Sequence, residues 1–147
     1  MFKHILIPTD GSPLAQKAVK AGIRFASEIG ARITVYHAFE DVLKRMDDGG
    51  YALGPEIRER LRRGSRQAAR RHLDETGELA AAAGVKFASV AAPADAPHKG
   101  IIDTATSRRC DVIFMASHGR RGVSGLLMGS VTHKLLTHCK IPVLVYR

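Results

Sequence analysis

The stretch Lys3-His4-Ile5-Leu6-Ile7-Pro8-Thr9-Asp10-Gly11-Ser12-Pro13 decides the fold. Its apolar run, Ile5-Leu6-Ile7, is strand-length and gives way at once to turn-forming residues. Ser12 followed by Pro13 then supplies the N-cap and first-turn proline of a helix. Over residues 13–29, Ala15, Ala18, Val19, Gly22, Ala26 and Ile29 recur at spacings of three and four. That is the period of a helix with one buried face, and Gly30 stands where a left-handed residue would end it. A strand that feeds directly into a helix opens a βα unit.

The alternation repeats along the chain. Arg32 to Phe39, rich in β-branched and aromatic residues, reads as a second strand. Residues 40–55 contain Asp47-Asp48-Gly49-Gly50 and Gly54-Pro55 without a sustained period, and read as a mobile connection within the domain. From Pro55 to about Ala83 the spacing predicts one long helix. Its stripe is Ile57, Leu61, Ser65, Ala68, His72, Thr76, Leu79 and Ala83, interrupted by Gly64 and Gly77 and stopped by Gly84. Val85 to Ala91 is a third strand, and Ala92 to Pro97 leads into a helix that buries Ile101, Ile102 and Ala105. Asp111 to Ala116 is a fourth strand, and the glycine-rich residues 117–129 precede a short helix from Ser130 to about His138. Pro142 to Tyr146 is a fifth strand. Parallel strands need helical crossovers and are buried on both sides, so the expectation is a doubly wound α/β domain with a five-stranded parallel sheet. With strand order 3-2-1-4-5, a ligand crevice lies beyond the carboxyl ends of strands 1 and 4. Its lips are Pro8-Thr9-Asp10-Gly11-Ser12 and Met115-Ala116-Ser117-His118-Gly119.

At 147 residues the chain supports one domain spanning 1–147, and 45% hydrophobic with 25% charged residues excludes general disorder, collagen and coiled coil. No apolar run reaches membrane-spanning length, and the opening residues enter a strand rather than a signal-peptide pattern. A cytoplasmic protein is expected. Cys110 and Cys139 show no metal-ligand spacing and read as small core thiols, with their mutual approach beneath strands 4 and 5 left open. The formal charge of +9 is unevenly spread. Residues 57–72 hold seven arginines against Glu59, and residues 112–147 hold five basic groups and no acid.

Two common phosphate signatures are absent, since there is no GxxxxGK[ST] and no GxGxxG after the first strand. What remains is Ala116 to Val131, glycine-rich, free of acid and ending at a helix start. Backbone N–H groups there can approach an anion, aided by the helix dipole. Equally, the glycines can serve tight turns and close packing, with Ser130 a plain N-cap. Asp10, at a strand's carboxyl end, can accept two ribose hydroxyls or act as an Asx-turn acceptor. Arg120, Arg121 and His118 are phosphate donors or ordinary loop residues. No catalytic constellation is present: His133 and His138 are five apart and no general base is marked.

The chain resembles the universal stress protein family. The resemblance rests on the opening Lys3 to Ser12, the strand from Asp111 to Ser117, the Gly119 to Val131 loop and the Pro142-Val143-Leu144-Val145 end. Nucleotide-binding members share G-x2-G-x9-G-(S/T), which here falls on Gly119, Gly129 and Ser130, with Ala116 in place of the first glycine. The resemblance implies an ATP site with Asp10 on the ribose or adenine, Ala38 main chain at the adenine, and Met115 and Ala116 bordering base and sugar. Gly119, Gly129, Ser130 and Val131 would hold phosphates, and Pro8 and Thr9 join from the strand-1 lip. Any Mg²⁺ would be held mainly by phosphate and water. A nucleotide-responsive stress regulator is implied, hydrolysing ATP slowly at most, and a homodimer joined through Val143 to Tyr146. The alternative is a nucleotide-free interaction protein. Its Arg58 to Arg71 helix, with Arg58, Arg62, Arg66 and Arg70 at i, i+4 and Arg63 alongside, would bind acidic partners or nucleic acid. Specific DNA or RNA readout is not expected, because no aromatic residues interleave the arginines.

Overall fold

A computed structural model describes residues 1–39, 54–93, 96–119 and 128–147. The elements are β1 (His4–Thr9), α1 (Pro13–Ile29), β2 (Arg32–Phe39), α2 (Pro55–Ala82), β3 (Phe87–Pro93), α3 (Pro97–Ser107), β4 (Val112–Ala116), α4 (Ser130–His138) and β5 (Val143–Tyr146). The strands form one sheet in the order β3-β2-β1-β4-β5, and every pairing is parallel. The expected doubly wound topology is therefore the observed one, and the winding reverses between β1 and β4.

Strand alternation sorts the core into two layers. Ile5, Ile7, Ile33, Val35, Val112 and Phe114 face α1 and α2, while Leu6, Tyr36, Ile113 and Met115 face α3 and α4. Ile5, Leu6 and Ile7 are fully buried, each contributing about 1.5–3 kcal/mol by removal from water. The helix punctuation follows the sequence signals. Ser12 Oγ accepts the Ala15 N–H at 3.3 Å, and Gly30 closes α1 at φ 66°.

Three expectations shift. The third strand runs Phe87–Pro93 rather than from Val85, because Val85 is held in the turn by its N–H to Ala80 O at 2.9 Å. Asp111 and Pro142 precede β4 and β5 instead of opening them. The larger change concerns α2, which buries Ala69, Leu73, Thr76 and Ala80. Only Thr76 belongs to the expected stripe, and Ile57 and Leu79 are 51% and 45% exposed. The period was legible, but the phase is turned by about one residue. None of residues 55–68 is fully buried, and only Arg58, Leu61, Ser65 and Ala68 are half-buried, so the first half of α2 is less covered than the second. Residues 40–53 of the expected mobile connection lie outside the described residues, whereas Gly54 caps α2 and Pro55 begins it.

Candidate functional site

At the end of β1 the chain turns through Asp10 and Gly11 into α1. Asp10 Oδ1 accepts the Ser12 N–H at 3.0 Å, and Thr9 Oγ1 accepts the Gly11 N–H at 3.1 Å. Gly11 sits at φ 77°, where a side chain would be strained. Gln16 Nε2 donates to Gly11 O at 3.2 Å and steadies the turn. One oxygen of Asp10 is thus an Asx-turn acceptor, and Oδ2 faces the opposite lip. A Cβ placed on Gly119 would run into that oxygen. The crevice brings Asp10 and Gly119 together, and a side chain at 119 would displace the Asp10 carboxylate.

The second lip is fixed at the end of β4. Ser117 N–H donates to Tyr146 O at 2.8 Å, and Gly129 N–H donates to Ser117 O at 2.9 Å. A Cβ on Gly129 would lie 3.0 Å from His118 Cα and 3.2 Å from Ser117 O. His118 Nδ1 lies 3.1 Å from Ser117 Oγ. Thr132, buried in the first turn of α4, donates from Oγ1 toward Ala116 O at 3.3 Å and Ser117 O at 3.1 Å. Apolar periodicity gave no reason to select Thr132. A β-branched hydroxyl on the buried side of a first turn is the signal that marks it.

The helix start differs from the plain-cap reading of Ser130. Gly129 is the N-cap of α4, with extended backbone and no side-chain cap, and Ser130 is the first helical residue, exposed. The N–H groups of Ser130 and Val131 have no carbonyl partner within the helix, which leaves donors and the positive dipole end beside Gly129. Residues 120–127 lie outside the described residues, Arg120 and Arg121 among them.

The remaining site residues divide by sheet face. Ala38 and Met115 pack on the α3/α4 side, and strand alternation places Pro8 there with Leu6. Ala116 packs on the α1/α2 side with Ile7, Val19 and Phe114. Thr9 shares that side, so Thr9 and Ala116 border the crevice through backbone rather than side chain. Among the described residues Arg109 is the one non-glycine residue at positive φ. Ala116 therefore keeps ordinary strand geometry, and its methyl lies in the core rather than in the crevice.

On the α1/α2 side of the same strand end is a separate groove of about 180 Å³, lined by Thr9, Gly11, Lys20, His72, Glu75 and Thr76 among others. His72 stacks on His37 at 5.6 Å and approaches Glu75 at 3.9 Å. Among the described residues no group of three or more His, Cys, Asp or Glu could hold a metal ion. Cys110 and Cys139 are free thiols packed in the same core layer, and burial with Asp111 nearby pushes Cys110 up to about 11. Neither reaches the crevice lips.

A parallel doubly wound sheet with a carboxylate and a glycine-lined helix start facing each other at its switch point defines an α/β domain with a crevice at its carboxyl edge, the place where sheets of this class take ligands. The chain belongs to the universal stress protein family, whose model matches residues 1–147. A universal stress protein of Thermus aquaticus is 30% identical over 147 residues, covering 100% of both chains. The solved structure of protein MJ0577 of Methanocaldococcus jannaschii superposes with a TM-score of 0.81 at 26% identity, covering 99% of this chain and 95% of that one. An Arabidopsis thaliana member solved with AMP bound superposes at 0.65, with 18% identity over 97% of this chain and 90% of its own. No helix among the described residues is long and apolar enough to cross a membrane.

Proposed function

We propose that the protein binds an adenine nucleotide, ATP, beyond β1 and β4 and acts as a nucleotide-responsive stress regulator in the cytoplasm. The observation that carries the reading is the approach of Gly119 to Asp10 Oδ2 beside the α4 start. A carboxylate oxygen directed across the cleft suits a ribose diol, and the N–H groups of Ser130 and Val131 suit phosphate oxygens. Pro8, Ala38 and Met115 form an apolar border for the base, while Ala116 narrows nothing because its methyl points into the core. The AMP-bound relative supports an adenine ligand for the fold. Bound nucleotide would supply the phosphates that hold Mg²⁺, since the described residues offer no metal cluster of their own. The reading is of binding, with slow hydrolysis at most.

We further propose a homodimer through β5. That strand closes one edge of the sheet and, among the described residues, pairs only with β4, leaving Val143 to Tyr146 half-buried. An unpaired apolar edge invites a second copy. Calorimetry with ATP, ADP and AMP, with and without Mg²⁺, tests the first reading, and no heat at millimolar ATP rejects it. Sedimentation at micromolar concentration tests the second, and a monomer mass rejects it.

A further inference from the structure

The first half of α2 is a surface the crevice does not use. In the second half, one helical row buries Ala69, Leu73, Thr76 and Ala80. Traced toward the N-terminus, the covered side of the helix continues as the half-buried Ala68, Ser65, Leu61 and Arg58, while Arg66 and Arg62 lie exposed beside it. The helix that meets the core in one half therefore presents guanidinium groups to solvent in the other. Arg63 and Arg70 flank Arg62 and Arg66, both exposed, and Glu59 is the one acid between residues 57 and 72. Among the described residues Arg62, Arg63, Arg66 and Arg70 enter no ion pair. Like charges at i, i+4 each cost a helix about 0.2–0.5 kcal/mol. Arg62 and Arg66 therefore repel each other across one turn, a cost that an anion bound between them would relieve.

We propose that this face docks the phosphate backbone of duplex nucleic acid, without sequence readout. Arginine forks match phosphate oxygens in pairs, and each i, i+4 step rises about 6 Å along the helix. A DNA strand carries a phosphate about every 3.4 Å of axis, so more than one phosphate lies within reach of arginines spread over two or three helical turns. Residues 55–71 contain no aromatic side chain on which an unpaired base could stack, which favours the duplex over a single strand. A protein partner fits less well, because it would have to present carboxylates of its own at the spacing of the arginines, whereas a nucleic-acid backbone carries a negative charge at every step. A lipid surface fits less well too, since Ile57 and Leu61 are the only large apolar residues of this half, too few for an interfacial helix.

The test is fluorescence anisotropy of the full chain with a labelled 20-base-pair duplex at a series of salt concentrations. R62Q/R66Q is expected to reduce the slope of log affinity against log salt by about 2, while R62K/R66K largely keeps it. K86Q/K140Q removes the same charge from exposed sites elsewhere and is expected to leave the slope near wild type. Absence of wild-type binding at 50 mM salt overturns the proposal. So does equal loss in the arginine and lysine pairs, which would leave only net charge. Binding to phosphatidylserine vesicles that requires Arg62 and Arg66, with none to duplex, overturns it in favour of a membrane. A lowered Tm with unchanged duplex binding overturns it in favour of a role within the chain. ATP calorimetry on R62Q/R66Q keeps this result separate from the crevice reading.

Discussion

The two ends of the sheet treat their polar groups in opposite ways. At the amino end the Asp111 carboxylate accepts the N–H groups of Lys3 and His4 at 2.8 and 3.1 Å. Asp111 N–H donates to His4 O, Arg32 N–H donates to Lys3 O, and the His4 ring bonds Thr34 across 2.8 Å. That end is sealed by the chain itself. At the carboxyl end, side chains are withheld at Gly119 and Gly129, one carboxylate oxygen faces across the cleft, and α4 opens without a side-chain cap. Parallel strands point the same way, so one sheet can be closed at one end and receptive at the other.

The comparison breaks most visibly at Gly129. Gly129→Val places a branched side chain against His118 backbone, where the neighbour is not a flexible tip. Overpacking of this kind costs about 2–3 kcal/mol, which lowers Tm by several degrees in a domain of this size, and ATP affinity should fall with it. Wild-type Tm and affinity together would show that the lip is slack. Asp10→Ala separates function from fold. It removes a charged acceptor, so ATP affinity should drop at least about tenfold while Tm moves by a degree or two. Unchanged affinity would remove Asp10 from the site.

At the sealed end the signs reverse. Asp111→Ala should cost about 1 kcal/mol, because it strips the acceptor from two N–H groups near the surface. Nucleotide affinity should stay at the wild-type value. A loss of affinity without a loss of stability would mean that the two ends are coupled through β4.

How far the sequence revealed this division depends on the residue. Ser12-Pro13, Gly30 and the alternating runs are local signals, and the structure realises them within a residue or two. The opposition of the Asp10 turn and the end of the fourth strand was also legible, since it follows once the strand order 3-2-1-4-5 is taken. The closeness of Gly119 to Asp10 was not, since it depends on how two distant turns meet. Thr132 was missed for a related reason: its hydroxyl matters through the carbonyls of Ala116 and Ser117, sixteen and fifteen residues away. The phase of α2 was misread because large apolar residues at 57, 61 and 79 outweighed the small ones at 69 and 80. Alanine reports burial weakly in any pattern, yet only small residues let a helix lie close on the sheet.

The smallest expected effect lies at His4, and it sharpens the contrast through pH. His4 is buried, and burial, followed by the Arg32 charge, holds its ring below the ordinary histidine range. Asp111 opposes the shift without overcoming it. A histidine with a lowered folded value stays neutral while the unfolded chain takes up a proton, so unfolding binds protons below about pH 6.5. Stability should therefore be level above that pH, decline as pH falls toward the folded value, and level again beneath it. His98, lowered first by burial and then by Lys134, His138 and Lys99, contributes with the same sign. His4→Gln should make the decline of Tm between pH 7.5 and 5.5 shallower, leaving the part due to His98, with ATP binding at pH 7.5 unaffected. A wild-type Tm that does not change over this range, or an identical slope in His4→Gln, would show that the amino end accommodates the charge and is less tightly sealed than its hydrogen bonds imply.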